Sequence, residues 1–330
     1  MTSSRRSNLI KVLIFGGLGL LLVWLSLKSV PFDVLALHFS SADYVWILVA
    51  MFIGLISHIL RALRWNQLLN PLGYRIKFVN AMAAIMIGYL FNLAIPRSGE
   101  IARCGIVQTY DDVPIQTSIG TVVLERIIDL FFLALAFLLT FIFEYERIFA
   151  YAQENIFKPL IQLSENSWFG PMVVVLILGG TAAVYFLFFR RKNAKKNKVN
   201  ELISGFADGL KSVTKVKNPL LFFAYSAGIW LAYYLMLYVG FYAFDGLSSV
   251  SPSAALAVFS FGTVAMIITP GGIGAYPILI GNILALYEVS VGLGNSFGWI
   301  IWGAQTVLII LTGALSLFFL PIYNAKFVKS

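Results

Sequence analysis

The stretch AIPRSGEIAR, residues 94–103, closes the apolar run VNAMAAIMIGYLFNLAI (79–95) with Pro96, Arg97, Gly99, Glu100 and Arg103. A membrane helix would be expected to continue or end there. Proline withdraws a backbone donor and glycine permits unusual dihedrals, so the sequence specifies a break at this point. Where the chain enters and leaves that break decides the topology, and the rest of the chain supplies the count.

The surrounding composition is that of a membrane. Of 330 residues, 59% are hydrophobic and 12% charged, against about 25% charged in soluble domains. A mean hydropathy of +0.86, together with runs such as VLIFGGLGLLLVWLSL (12–27) and PMVVVLILGGTAAVYFLFF (171–189), predicts a polytopic membrane protein. Its spans are helices, because a backbone in lipid must satisfy its own hydrogen bonds. One cysteine, Cys104, excludes an internal disulfide, and two histidines, His38 and His58, leave no metal cluster to expect. No cofactor is implied. The net charge of +9 is placed topologically. Arg5, Arg6 and Lys11 precede the first run and nine Lys/Arg fall between Arg190 and Lys217, whereas Glu144–Trp168 holds four acids and two bases. This is the positive-inside pattern, with the basic loops cytoplasmic, and it argues against nucleic acid as a partner. The first run is expected to be a retained helix rather than a cleaved signal, since no small-x-small site follows Leu27.

Counting crossings then gives the architecture. Residues 10–28 run outward, 44–60 inward, 114–143 outward, 169–189 inward, 219–244 outward and 297–320 inward, leaving both termini cytoplasmic. DDVP (111–114) is expected to open the helix that follows it, with acids at the cap. Segment 79–110 must therefore enter and leave on one side, or both its arms must span, and the same holds for 253–288. The expected fold is an all-α polytopic helix bundle forming one transmembrane domain (1–330). It consists of two inverted-topology repeats, 10–143 and 169–320, each with a re-entrant or broken-helix hairpin. Gly88 stands eight residues before Pro96 and Gly262 eight before Pro270, with Gly99 and Gly274 shortly after the prolines. In transporters with inverted repeats, such breaks meet near the midplane and form the substrate site. The basic loop 190–217 contains an amphipathic helix, 199–213, expected on the inner leaflet or against the protein's own cytoplasmic face.

Charged residues near the breaks mark the candidate site. LERIID (124–129) puts Glu125 about 16 Å along its helix at 1.5 Å per residue, near mid-bilayer, where a charge normally faces a cavity or a partner. Glu125 and Asp129 share a helix face. With Arg97, Glu100, Arg103 and Arg126 they form a set in which three guanidiniums can grip a phosphate and the carboxylates can tune the grip or carry a proton. A purely structural ion network is the competing reading. Gly271, Gly272 and Gly274 of TPGGIGAYP (269–277) leave backbone N–H groups at a helix start that suits an anion, or else form a structural tip. His58, Arg61 and Arg64 of SHILRALRW (57–65) are expected to snorkel to lipid headgroups, with a role in substrate access as the alternative.

Taken together, RALRW, IPRSGEIAR, LERIIDL and ITPGGIGAYP resemble the lysylphosphatidylglycerol synthase transmembrane family, flippase-like integral membrane proteins of bacteria and archaea, over roughly residues 10–320. The family pattern usually follows P-G-G-x-G with a glutamate; Ala275-Tyr276-Pro277 stand here instead. The resemblance implies a flippase or scramblase for a phospholipid or other polar lipid in the plasma (inner) membrane of a prokaryote, with membrane lipids as partners. A second copy of the chain and a separate lipid-modifying enzyme are further expected partners. The aminoacyl-transferase domain of bifunctional members is not present in these residues, so catalysis is not expected. Two alternatives stay open: a membrane-embedded lipid or lipid-phosphate transferase, and a proton-coupled solute transporter.

Overall fold

A computed structural model describes residues 32–95, 97–154, 158, 161–162, 209 and 211–328. The expected spans 10–28 and 169–189 lie outside the described residues, as does most of the amphipathic segment 199–213. Among the described residues every regular element is helical. The chain runs through α1 (Phe32–Ser41), α2 (Tyr44–Leu69), α3 (Phe78–Ala94), α4 (Gly99–Asp111), α5 (Ile115–Phe143), α6 (Tyr145–Ala152), α7 (Pro219–Gly240), α8 (Pro252–Ile268), α9 (Ala275–Ala285) and α10 (Val291–Val328). Short 3₁₀ turns at Asn70–Leu72, Ser212–Lys215, Phe241–Ala243, Asp245–Leu247 and Pro270–Gly272 punctuate it.

The helix starts follow local chemistry. The Asp43 side chain accepts from Val45 N at 2.9 Å ahead of α2. Asn218 and Ser251 accept from Leu221 N and Ala254 N before α7 and α8, and each is followed by proline in the first turn, where its missing N–H costs nothing. Two boundaries differ from the sequence reading. Helix α2 does not stop at residue 60 but continues to Leu69, where Asn70-Pro71 turn the chain, so Arg61 and Arg64 belong to its interior. Asp111 and Asp112 do not open α5. Asp111 ends α4, Asp112 is its left-handed C-cap (φ 54°), and Pro114 alone precedes α5.

Four stretches are long and apolar enough to cross a membrane: Tyr44–Leu72, Ile115–Phe143, Pro219–Ala243 and Val291–Ala325. The protein is therefore a multi-pass membrane protein. The hairpin arms are shorter. The 13 residues of α4 and 11 of α9 extend only about 20 and 16 Å, below the roughly 30 Å of a hydrocarbon core.

Helices α2 and α7 run along each other, α10 packs against α3 of the first hairpin, and α5 packs against α8 of the second. One apolar core joins α7, α8, α9 and α10 around Phe241, Val258, Ile280 and Phe297. A second joins α2, α3, α4 and α5 around Trp65, Ile85, Cys104 and Val122. Within the first hairpin the backbones of α3 and α4 nearly touch at Gly88 and Gly99: a Cβ at Gly99 would stand 2.0 Å from the Gly88 carbonyl oxygen. The two breaks lie together. Leu93, in the last turn of α3, stands against Gly271, whose carbonyl accepts from Trp302 Nε1 of α10 at 2.7 Å.

Candidate functional site

The site is built on two helices that turn charged faces toward each other. Helix α2 carries Arg61, Arg64 and Trp65 at helical spacing, and α5 carries Thr121, Glu125 and Asp129 at i, i+4 and i+8. All but Asp129 are buried, and Asp129 is nearly so. Arg61 and Arg64 grip the two oxygens of Asp129 at 3.0 and 2.9 Å. Arg64 also reaches Glu125 Oε1 at 3.4 Å, and Arg103 from α4 pairs with Glu125 Oε2. The Arg103 guanidinium lies 4.1 Å over the Trp65 ring, and the indole N–H of Trp65 is held by Thr121 Oγ1 at 2.9 Å. Helix α7 adds Ser226 beneath Arg64 and the Tyr233 hydroxyl beside Arg61.

The network opens at one edge. Arg126, with its side chain 45% exposed, pairs with Glu100 at 3.1 Å and stands 3.7 Å from Asp129. There a small cavity of about 10 Å³ is lined by Ile85, Gly88, Tyr89, Asn92, Gly99, Glu100, Arg103 and Arg126, room for about one water. The Asn92 carbonyl accepts from Gly99 N at 2.7 Å and holds the start of α4 against this cavity. Four guanidiniums (Arg61, Arg64, Arg103, Arg126) face three carboxylates (Glu100, Glu125, Asp129), a formal excess of one positive charge. Nor is the network internally complete. The Nε atoms of Arg61, Arg64 and Arg103 and the Oε2 of Glu100 are buried without a hydrogen-bond partner among the described residues. Buried polar groups are rarely left so.

Of the residues singled out from sequence, Glu100, Arg103, Glu125, Arg126 and Asp129 come together. Arg61 and Arg64 do not reach outward to headgroups as expected. Both are buried, Arg64 completely, and form the centre of the network, because α2 continues past them. His58 is buried one turn before Arg61, with its ring 5.1 Å from that of Tyr89. Arg97 stays outside the network. It sits exposed at the hairpin tip with φ 63° and makes no ion pair among the described residues. Gly271, Gly272 and Gly274 all have positive φ and shape the second break beside Leu93 and Trp302; none of them lines the cavity at the edge of the network. The sequence reading set Trp65 on one face with His58, Arg61 and Arg64 at the end of the second helix, and missed Thr121, Ser226, Tyr89 and Tyr233 as walls of the site. Arg61 and Arg64 were recoverable: no helix breaker intervenes before Asn70-Pro71, so the RALRW spacing already sets two guanidiniums on one buried face.

The family model described as the lysylphosphatidylglycerol synthase TM region matches residues 8–313, and the chain belongs to that family. It is also similar to the glycosyltransferase AglD of Haloferax volcanii, 30% identical over 128 residues. That match covers 38% of this chain and 20% of the length of AglD. No solved structure matches.

Proposed function

We propose that this chain, as a member of the lysylphosphatidylglycerol synthase transmembrane family, moves a polar lipid with a phosphate-bearing headgroup between leaflets as a flippase or scramblase. One observation carries the reading: the buried ion network is left open, with one excess positive charge, unmatched donors on three arginines, and a rim of Arg126 and Glu100 facing a cavity. A network serving only to hold helices together has no use for unmatched guanidinium N–H groups. An anionic headgroup supplies the missing acceptors and charge, and guanidiniums bind phosphate bidentately. Arg61, Arg64, Arg103 and Arg126 are the proposed headgroup donors, with Arg97 at the tip as a first contact. Glu100, Glu125 and Asp129 hold the arginines apart when the site is empty.

The architecture proposed around this site is two inverted-topology repeats. The order of a long helix, a hairpin and a long helix occurs twice: α2, α3–α4, α5, and then α7, α8–α9, α10. The reciprocal packing of α5 on α8 and α10 on α3 is what an in-plane pseudo-twofold axis produces. The short arms α4 and α9 fit re-entrant hairpins whose tips meet at Leu93 and Gly271. The charge pattern of the loops supports cytoplasmic termini in a prokaryotic plasma membrane.

Native mass spectrometry of the purified protein tests the reading. Purified protein is expected to retain phosphate-bearing lipid in native mass spectrometry, and the R126A variant to lose it while remaining folded. Lipid-free wild type, or retention unchanged in R126A, contradicts the proposal. A second reading, a transferase acting on a lipid-linked phosphate, draws on the likeness to a protein named as a glycosyltransferase. Product formed by the purified chain from a lipid-linked donor would favour it.

A further inference from the structure

His58 is not accounted for by the ion network. It is 5% exposed, and neither Nδ1 nor Nε2 has a hydrogen-bond partner among the described residues. A neutral imidazole carries one donor and one acceptor, and an imidazolium two donors. A phenyl ring in the same place would pack on Tyr89 equally well and leave nothing unmatched. The ring contacts Tyr89, which itself lines the cavity at the open edge of the network, so His58 stands directly behind the wall of the proposed headgroup site.

The charges around it explain why a proton there would depend on what occupies the site. On its own helix, Arg61 lies one turn away and Arg64 two. Helix α3 brings Tyr89, α4 brings Arg103 and Glu100, α5 brings Glu125, Arg126 and Asp129, and α7 brings Tyr233 beside Arg61. Helix α10, which also packs against α2, carries no ionisable side chain before Tyr323. With the site empty, a proton on His58 adds to an excess of positive charge. With a singly charged anionic headgroup on the arginines, that excess is cancelled and the electrostatic opposition to a proton on His58 falls.

We infer that His58 is a proton-binding site linked to the headgroup site, so that the protein takes up an anionic lipid headgroup and a proton together. The inference rests on the lipid-site reading above and adds to it a chemical partner, the proton, and a residue that holds it. Linkage is reciprocal: whatever factor the anion contributes to proton affinity, the proton contributes to anion affinity. Histidine suits the role because its charge changes near physiological pH. A transporter with this linkage moves a proton with each anionic lipid, and a pH difference across the membrane then biases the direction of lipid movement.

The test is calorimetric titration of the purified full-length protein with short-chain phosphatidylglycerol at several pH values, in buffers of differing ionisation heat. Wild type is expected to take up protons on binding lipid, and to bind more tightly as pH falls, by up to about tenfold per pH unit. The H58F variant is expected to bind with an affinity independent of pH and without proton uptake. Wild type that binds with no proton uptake, or H58F that keeps it, overturns the linkage and leaves the lipid-site reading standing. Absence of binding by wild type at every pH overturns both. Should H58F fold poorly, nitrogen NMR of the H38Q variant decides, since His58 is then the sole imidazole. Phosphatidylglycerol is expected to shift its signal from neutral toward imidazolium when compared with the lipid-free protein at the same pH, and an unchanged signal overturns the linkage.

Discussion

At the scale of residues, the site contains two kinds of arginine. Arg64 is fully buried and holds Glu125 and Asp129 at once, so its loss leaves two carboxylates facing the interior. R64A is expected to destabilise the protein by about 3–5 kcal/mol, the usual consequence of breaking a buried ion pair, read as a fall in thermal midpoint in detergent. Arg126 is half exposed, and its pairs with Glu100 and Asp129 contribute no more than about 1 kcal/mol. R126A is therefore expected to keep the wild-type midpoint, which makes it the variant in which function and folding can be separated. Arg97 adopts a left-handed conformation at φ 63°, a strain of about 1 kcal/mol that glycine does not bear. R97G is expected to raise the midpoint slightly while removing the exposed charge. The carboxylates and Arg103 were legible in the sequence because charges in an apolar run announce themselves. The assignment of Arg61 and Arg64 to the surface followed from ending their helix at the last continuous apolar residue. Long-range partners such as Tyr233 and Ser226 left no local signal, since tyrosine and serine are unremarkable in a membrane helix.

At the scale of elements, the first hairpin depends on the contact of α3 with α4. A Cβ at Gly99 would meet the Gly88 carbonyl and the Asn92 side chain, and backbone cannot step aside as a flexible side chain can. G99A is expected to cost about 1–3 kcal/mol and to disturb the cavity that Gly99 lines. Gly105, farther along the same helix, has nothing within 4 Å of a would-be Cβ. G105A is expected to stabilise by about 0.5–1 kcal/mol through helix propensity alone. Opposite signs in the same thermal assay would verify the close approach, and equal effects would refute it. Both breaks were readable from Pro96 and Pro270 with their flanking glycines. That they meet was expected of inverted repeats; that Leu93, Gly271 and Trp302 stand at the meeting point was not readable, because it depends on how α10 lies against α3.

At the scale of the whole molecule, the expected spans 44–60, 114–143, 219–244 and 297–320 correspond to the four long apolar helices, the first and last of them longer than expected. Hydropathy suffices for this, since lipid leaves a backbone few choices. The proposed topology makes its own prediction. Cys104 is the sole cysteine and is buried, so single cysteines introduced in the α5–α6 corner, for example E146C, are expected to react with an impermeant maleimide from outside intact cells. A cysteine at Lys217 is expected to react only after lysis. The reverse pattern would invert the assignment of both loops. If the open arginine network handles lipid phosphate during movement between leaflets, leaflet exchange depends on Arg126. A fluorescent phosphatidylglycerol analogue is followed in proteoliposomes containing wild type, R97A or R126A at equal, verified folded content. Exchange above the protein-free rate is expected for wild type, reduced at least tenfold in R126A and by less in R97A. Exchange that persists at the wild-type rate in R126A would contradict that dependence.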